Sequence, residues 1–110
     1  MDLRHGHRIP VDYQVWYTTP EQTVQRGTMY DLSRGGCAVA TLGNVKRGSR
    51  IALTILAPGQ PIPMTIESAA VRWTVLGEFG VEFEDLNEQD RERLGHLLER
   101  ASETLSRLGR

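Results

Sequence analysis

Apolar and polar positions alternate from Val11 to Tyr17, with Val11, Tyr13, Val15 and Tyr17 on one side and Asp12, Gln14 and Trp16 on the other. A period of two is that of a half-buried strand, whose side chains point to opposite faces in turn. The segment Thr19, Pro20, Glu21 and Gln22 reads as a turn, and Thr28–Asp31 as a second strand that Gly35 and Gly36 bring to an end. Further β-type runs fall at Cys37–Thr41, Arg50–Leu56, Met64–Leu76 and Phe79–Phe83, separated by Gly48, the Pro58–Pro63 stretch and Gly77. Six strands at this spacing predict a mainly β fold, a small antiparallel barrel.

At Asn87 the period changes to that of a helix, with Asn87 as N-cap and Glu88 and Asp90 at the positive end of the helix dipole. The helix is expected to run to about Leu108. Leu94, Leu98, Ala101, Leu105 and Leu108 form one apolar stripe, which Leu97 widens. Two destinations are open for it: the barrel core, or the same stripe of a second copy in a homodimer. Gly95 weakens the helix in either case.

A chain of 110 residues without repeats or linkers is one domain. The expected division is an arm at 1–10 that binds ligand, a barrel at 11–86 and a helix at 87–109. A net charge of −1 argues against a grip on a nucleic-acid polymer, yet residues 1–50 carry +3 and residues 51–110 carry −4, so an anion site belongs to the first half. Lys46, Arg47 and Arg50 make a basic patch, but no aromatic lies between Tyr30 and Trp73 to stack single-stranded bases. No apolar run approaches the ~20 residues that cross a bilayer, and a signal-peptide hydrophobic region is missing, so a cytoplasmic protein without membrane insertion is expected. Cys37 is the single cysteine, which excludes an intramolecular disulfide and a Cys-rich zinc site. It reads as a buried thiol.

Enzyme readings fail on chemistry. His5, His7 and His96 have no metal-type spacing beyond the nearby Asp2, and Ser33 lacks the GxSxG elbow of an activated nucleophile. The carboxylates of Glu82, Glu84 and Asp85 suit solvent or the helix dipole and supply no acid/base pair. No enzyme, metal or cofactor is expected.

Two clusters are more specific. Arg4 and Arg8 flank His5, Gly6 and His7 just ahead of Ile9 and Pro10, in an extended arm that can hold the two guanidiniums up to about 13 Å apart. Asp31-Leu32-Ser33-Arg34-Gly35-Gly36 places Asp31 and Ser33 on one side of an extended segment, where they are expected to form an outward polar pair while Leu32 turns inward. An ionised Asp accepts only, which suits the N1–H and N2–H₂ donors of guanine, and the glycines let a flat ring or phosphate approach the backbone. An Asx or Ser turn at a strand end is the simpler explanation of the second cluster taken alone.

Together, Arg4-xxx-Arg8, twenty-two intervening residues, and Asp31-x-Ser33-xx-Gly36 resemble the RxxxR and [D/N]xSxxG signatures of PilZ domains, bacterial receptors for cyclic di-GMP. The resemblance continues through the Gly48 turn, Val71-Arg72-Trp73, Gly80-Val81-Glu82-Phe83 and the closing helix. It implies a six-stranded PilZ-type barrel in which Arg4 and Arg8 bind phosphate and guanine, Asp31 and Ser33 read a guanine edge, and Gly36 permits close approach. His5, His7, Arg34 and Gly35 would be neighbours of that site. Some relatives carry a further arginine where Leu3 stands and take up two ligand molecules, so Leu3 implies one. The expected function is a stand-alone receptor whose arm becomes ordered on binding and signals to an effector protein. The alternative is a nucleotide-independent adaptor that acts through its helix.

Overall fold

The computed structural model describes residues 7–108. Six antiparallel strands, β1 (Ile9–Thr18), β2 (Val24–Leu32), β3 (Gly36–Thr41), β4 (Arg50–Leu56), β5 (Met64–Val75) and β6 (Glu78–Phe83), precede one helix, α1 (Glu88–Leu108). They close into a barrel in the order β1-β2-β3-β6-β5-β4, with β4 returning to pair with β1. Bulges interrupt the β1/β2 ladder between Pro10 and Tyr13, and the β2/β3 ladder between Met29 and Asp31. Similar breaks occur in β4/β5 and β5/β6. Each break sharpens the local twist, which is how so few strands curl far enough to meet.

The strands run where the alternation placed them, with different ends. Ile9 and Pro10 belong to β1 rather than to the arm, because Ile9 pairs with Leu32 and Pro10 with Asp31. β2 begins at Val24 instead of Thr28. Its polar first half has no apolar period, but the ladder from Thr18–Val24 onward holds it, and the Arg26 guanidinium lies 4.8 Å from the Trp16 ring centroid. β5 stops at Val75, one residue early, since Gly77 turns the chain with a φ of 82°.

Inward positions make one core that includes Val15, Tyr17, Met29, Leu32, Val39, Leu53, Ile55, Ile66 and Phe79. Tyr17 meets Phe79 edge-on at 5.1 Å and keeps its hydroxyl satisfied through Thr41 Oγ1 at 2.8 Å. Cys37 is buried there as expected, and burial, followed by the negative charge of Asp31, pushes its thiol pKa far up. It is therefore a protonated packing group.

Helix α1 starts as the sequence predicts, with the Asn87 side chain accepting from the Asp90 amide at 2.7 Å. It packs on β1 and β5, and Arg93 donates to the Ile62 and Pro63 carbonyls of the β4–β5 loop. The apolar stripe divides: Leu94, Leu97, Leu98 and Ala101 are buried, whereas Leu105 is 43% and Leu108 77% exposed. Nothing in the packing requires a glycine at 95, since the nearest atom to an added Cβ is Arg34 Nη1 at 3.9 Å. Gly95→Ala is expected to raise unfolding stability by about 1 kcal/mol in urea denaturation, the helix-propensity difference between the two residues.

Candidate functional site

The β1/β2 hairpin brings the two sequence clusters to one place. Arg8 directly precedes Ile9, and Asp31 stands opposite Pro10, so residues twenty-three apart meet: Arg8 Nη1 donates to Asp31 Oδ1 at 2.6 Å. The Arg8 side chain is 53% exposed and that of Asp31 24%, so the pair sits at the surface, open to exchange partners. His7 is exposed beside it. Arg4 and His5, with Leu3, lie outside the described residues.

Asp31 faces outward as expected, but Ser33 does not join it there. Ser33 is 1% exposed. Its hydroxyl accepts from the amides of Gly35 and Gly36, both at 3.2 Å, and reaches the Gly36 carbonyl at 3.3 Å. The extended geometry behind the outward pair ends at Leu32, where β2 stops and the Ser turn begins. The Gly35 carbonyl accepts from the Phe83 amide at 2.8 Å, which ties the turn to β6. Gly36 packs closely on β6. A Cβ on it would lie 2.1 Å from the Val81 carbonyl oxygen, so the glycine permits a close approach of β6. Arg34 is exposed and turns towards α1, lining a depression with Glu88, Glu92, Gly95 and His96.

Register extends the site across the barrel's outer face. Asp31 pairs with Ala38, Ala38 with Gly80, and Gly80 with Trp73. These four residues form a row over three interstrand gaps, about 14 Å at the usual strand spacing. Its middle members are small. The Trp73 indole covers Gly80, where an added Cβ would come within 2.1 Å of Nε1. From the other side, the Tyr30 hydroxyl donates to the Glu78 carboxylate, so its ring spans β3 near Ala38 and Ala40. Burial and this bond push the Tyr30 pKa up to about 12, with Glu78 and Asp31 adding to the effect and Arg8 opposing it. Beside the row, Arg72 and Glu82 form an ion pair at 2.6 Å.

The aromatic floor is what the reading of the sequence missed. Its signal was available in Trp73 and Gly80, a large aromatic and a glycine on strands joined by the Gly77 turn, an arrangement in which the ring covers the bare backbone. Gly80→Ala is expected to swing the indole off β6 and into water without opening the barrel, read as a red shift in tryptophan emission. Two depressions lie elsewhere among the described residues, one of about 770 Å³ around Trp16 and Arg26 and another of about 620 Å³ between β1 and α1. Neither contains the motif residues. The site joins an arginine and a carboxylate to a face that carries two aromatic rings, a chemistry fit for a planar, anionic, hydrogen-bonding ligand.

A family model for the PilZ domain matches residues 2–100. The chain belongs to the PilZ family. No curated protein matches this PilZ domain in sequence. Its fold is similar to that of the PilZ domain of YcgR from Escherichia coli, solved with c-di-GMP, at a TM-score of 0.73 and 14% identity over 100% of this chain and 99% of the other. The PilZ domain of CeSA from a cellulose-synthesising bacterium is similar at a TM-score of 0.67 and 20% identity, covering 84% of this chain and 94% of that one. MotI/DgrA, an inhibitor of motility from Bacillus subtilis, shares the fold at a TM-score of 0.69 and 22% identity. There the match covers 88% of this chain and half of the longer relative. Among the described residues no helix is long and apolar enough to cross a membrane.

Proposed function

We propose that this PilZ domain is a receptor for cyclic di-GMP, a module that binds the dinucleotide and does not transform it. The observation that carries the reading is the Arg8–Asp31 contact, which joins both family motifs at the edge of the aromatic face. On binding, a guanine edge offers N1–H and N2–H₂ to Asp31, and the released Arg8 fork turns to phosphate or stacks on the base. The exchange replaces one charge-assisted contact by several, and neither group is left without a partner. Arg4 supplies the second cation against the two phosphates. Ser33 and Gly36 act by holding the turn that aims Asp31, with His7 and Gly35 as neighbours. The c-di-GMP in the YcgR PilZ domain, which has the same fold, supports this choice of ligand.

Fixing the residues that precede β1 costs about 1 kcal/mol each in backbone entropy, which ligand contacts must offset. The ordered arm and its ligand would then present a new surface to an effector protein, and binding is expected to slow hydrogen exchange in residues 1–8. Calorimetry against cyclic di-GMP and cyclic di-AMP tests the reading. Adenine presents N1 as an acceptor, which would face the Asp31 carboxylate and repel it, so only cyclic di-GMP should give saturable heat. Arg8→Ala is expected to weaken it at least tenfold, while equal heats for both dinucleotides, or none for either, would sink the proposal.

A further inference from the structure

Beyond Leu98 the charged side chains of α1 keep to one side. At the helical repeat, Glu99, Arg100, Glu103 and Arg107 fall within a sector of about 100°, opposite a sector of about 80° that holds Leu98, Ala101, Leu105 and Leu108. The barrel covers the first part of this apolar sector and stops, which leaves Leu105 and Leu108 exposed. They form the near edge of the groove of about 620 Å³, whose far wall is Pro10, Val11, Tyr13 and Pro58. A projecting leucine ridge and an apolar groove therefore adjoin on one surface.

On the rim of the groove stand Asp12 and Arg100, both exposed, and neither makes an ion pair among the described residues. The Arg100 guanidinium instead lies over Gly59. An anion and a cation flanking a ridge and a groove are self-complementary: a two-fold axis sets each ridge into the opposite groove and each Arg100 against the opposite aspartate. We infer that this surface binds a second copy of the chain, with Leu105 and Leu108 seated against Pro10, Val11 and Tyr13 of the other protomer and Arg100 paired with the partner's Asp12. The inference is independent of the nucleotide reading, because both walls of the groove exist without ligand.

Sedimentation equilibrium of the full chain, without nucleotide, from low to high micromolar concentration, tests it. The mass is expected to rise with concentration from one chain to two. Leu105→Asp and the milder Leu108→Ser should each raise the dissociation constant at least about tenfold. Circular dichroism should show an unchanged fold, since both leucines are exposed. Asp12→Arg and Arg100→Asp should each weaken the dimer, and their combination should restore it. A single-chain mass at every concentration overturns the inference. So does a dimer that both leucine substitutions leave intact, or a charge swap that fails to restore association.

Discussion

Asp31→Ala is expected to lower affinity for cyclic di-GMP by more than a hundredfold and to leave the unfolding midpoint almost unmoved. The carboxylate is the acceptor for two guanine N–H donors in the proposed complex, and hydrogen bonds to a charged group contribute about 1.5–3 kcal/mol each. Losing both therefore exceeds the ~2.7 kcal/mol that separates a hundredfold in affinity. Among the described residues of the free protein the same carboxylate pairs with Arg8 alone, whose side chain is 53% exposed. Solvent-screened pairs of that kind contribute about 0–1 kcal/mol to folding. Asp31→Asn keeps one acceptor and loses the charge, so it should fall between alanine and wild type, in keeping with the D/N choice in the family signature. Calorimetric titration beside urea denataturation separates the two effects. A loss of affinity below tenfold for the alanine variant would mean that guanine is read elsewhere.

The barrel was legible in the sequence because its information is local. Alternation at Val11–Tyr17 and glycines at 48 and 77 mark strands and turns residue by residue, and Asn87 caps α1 as its side-chain chemistry demands. The first half of β2 was not legible, because Gln25, Arg26 and Gly27 are held by pairing with β1 and β3 and carry no apolar period of their own. For the site the division is similar. That Arg8 and Asp31 belong together follows from the motifs, and the hairpin register delivers it. That Tyr30 and Trp73 cover the face beside them depends on the strand order β2-β3-β6-β5, a long-range property that no window of the sequence displays. The helix stripe shows the same limit. Its period runs unbroken from Leu94 to Leu108, and only the extent of the barrel beneath it decides that the cover ends after Ala101.

Ser33 and Gly36 hold the turn that follows Asp31, and for Gly36 that role predicts a loss of stability. Gly36→Ala is expected to destabilise the protein by about 3 kcal/mol or more, because an overpacked site that cannot relax costs at least as much as the upper range for inserted methyl groups. The atom in the way is the Val81 carbonyl oxygen, 2.1 Å from the new Cβ, and it belongs to backbone that is paired on both sides, with Cys37 and with Val71. Neither strand can give without opening the barrel at the turn where Ser33 and Gly35 are tied. Thermal unfolding monitored by circular dichroism should show a midpoint lower by more than about 10 °C, given the usual 4–8 °C per kcal/mol for a domain near this size. Were the glycine kept only to let a ligand approach, the alanine variant would melt like wild type and fail only in titration. Unchanged melting with lost binding would thus transfer Gly36 from the frame of the site to its contact surface.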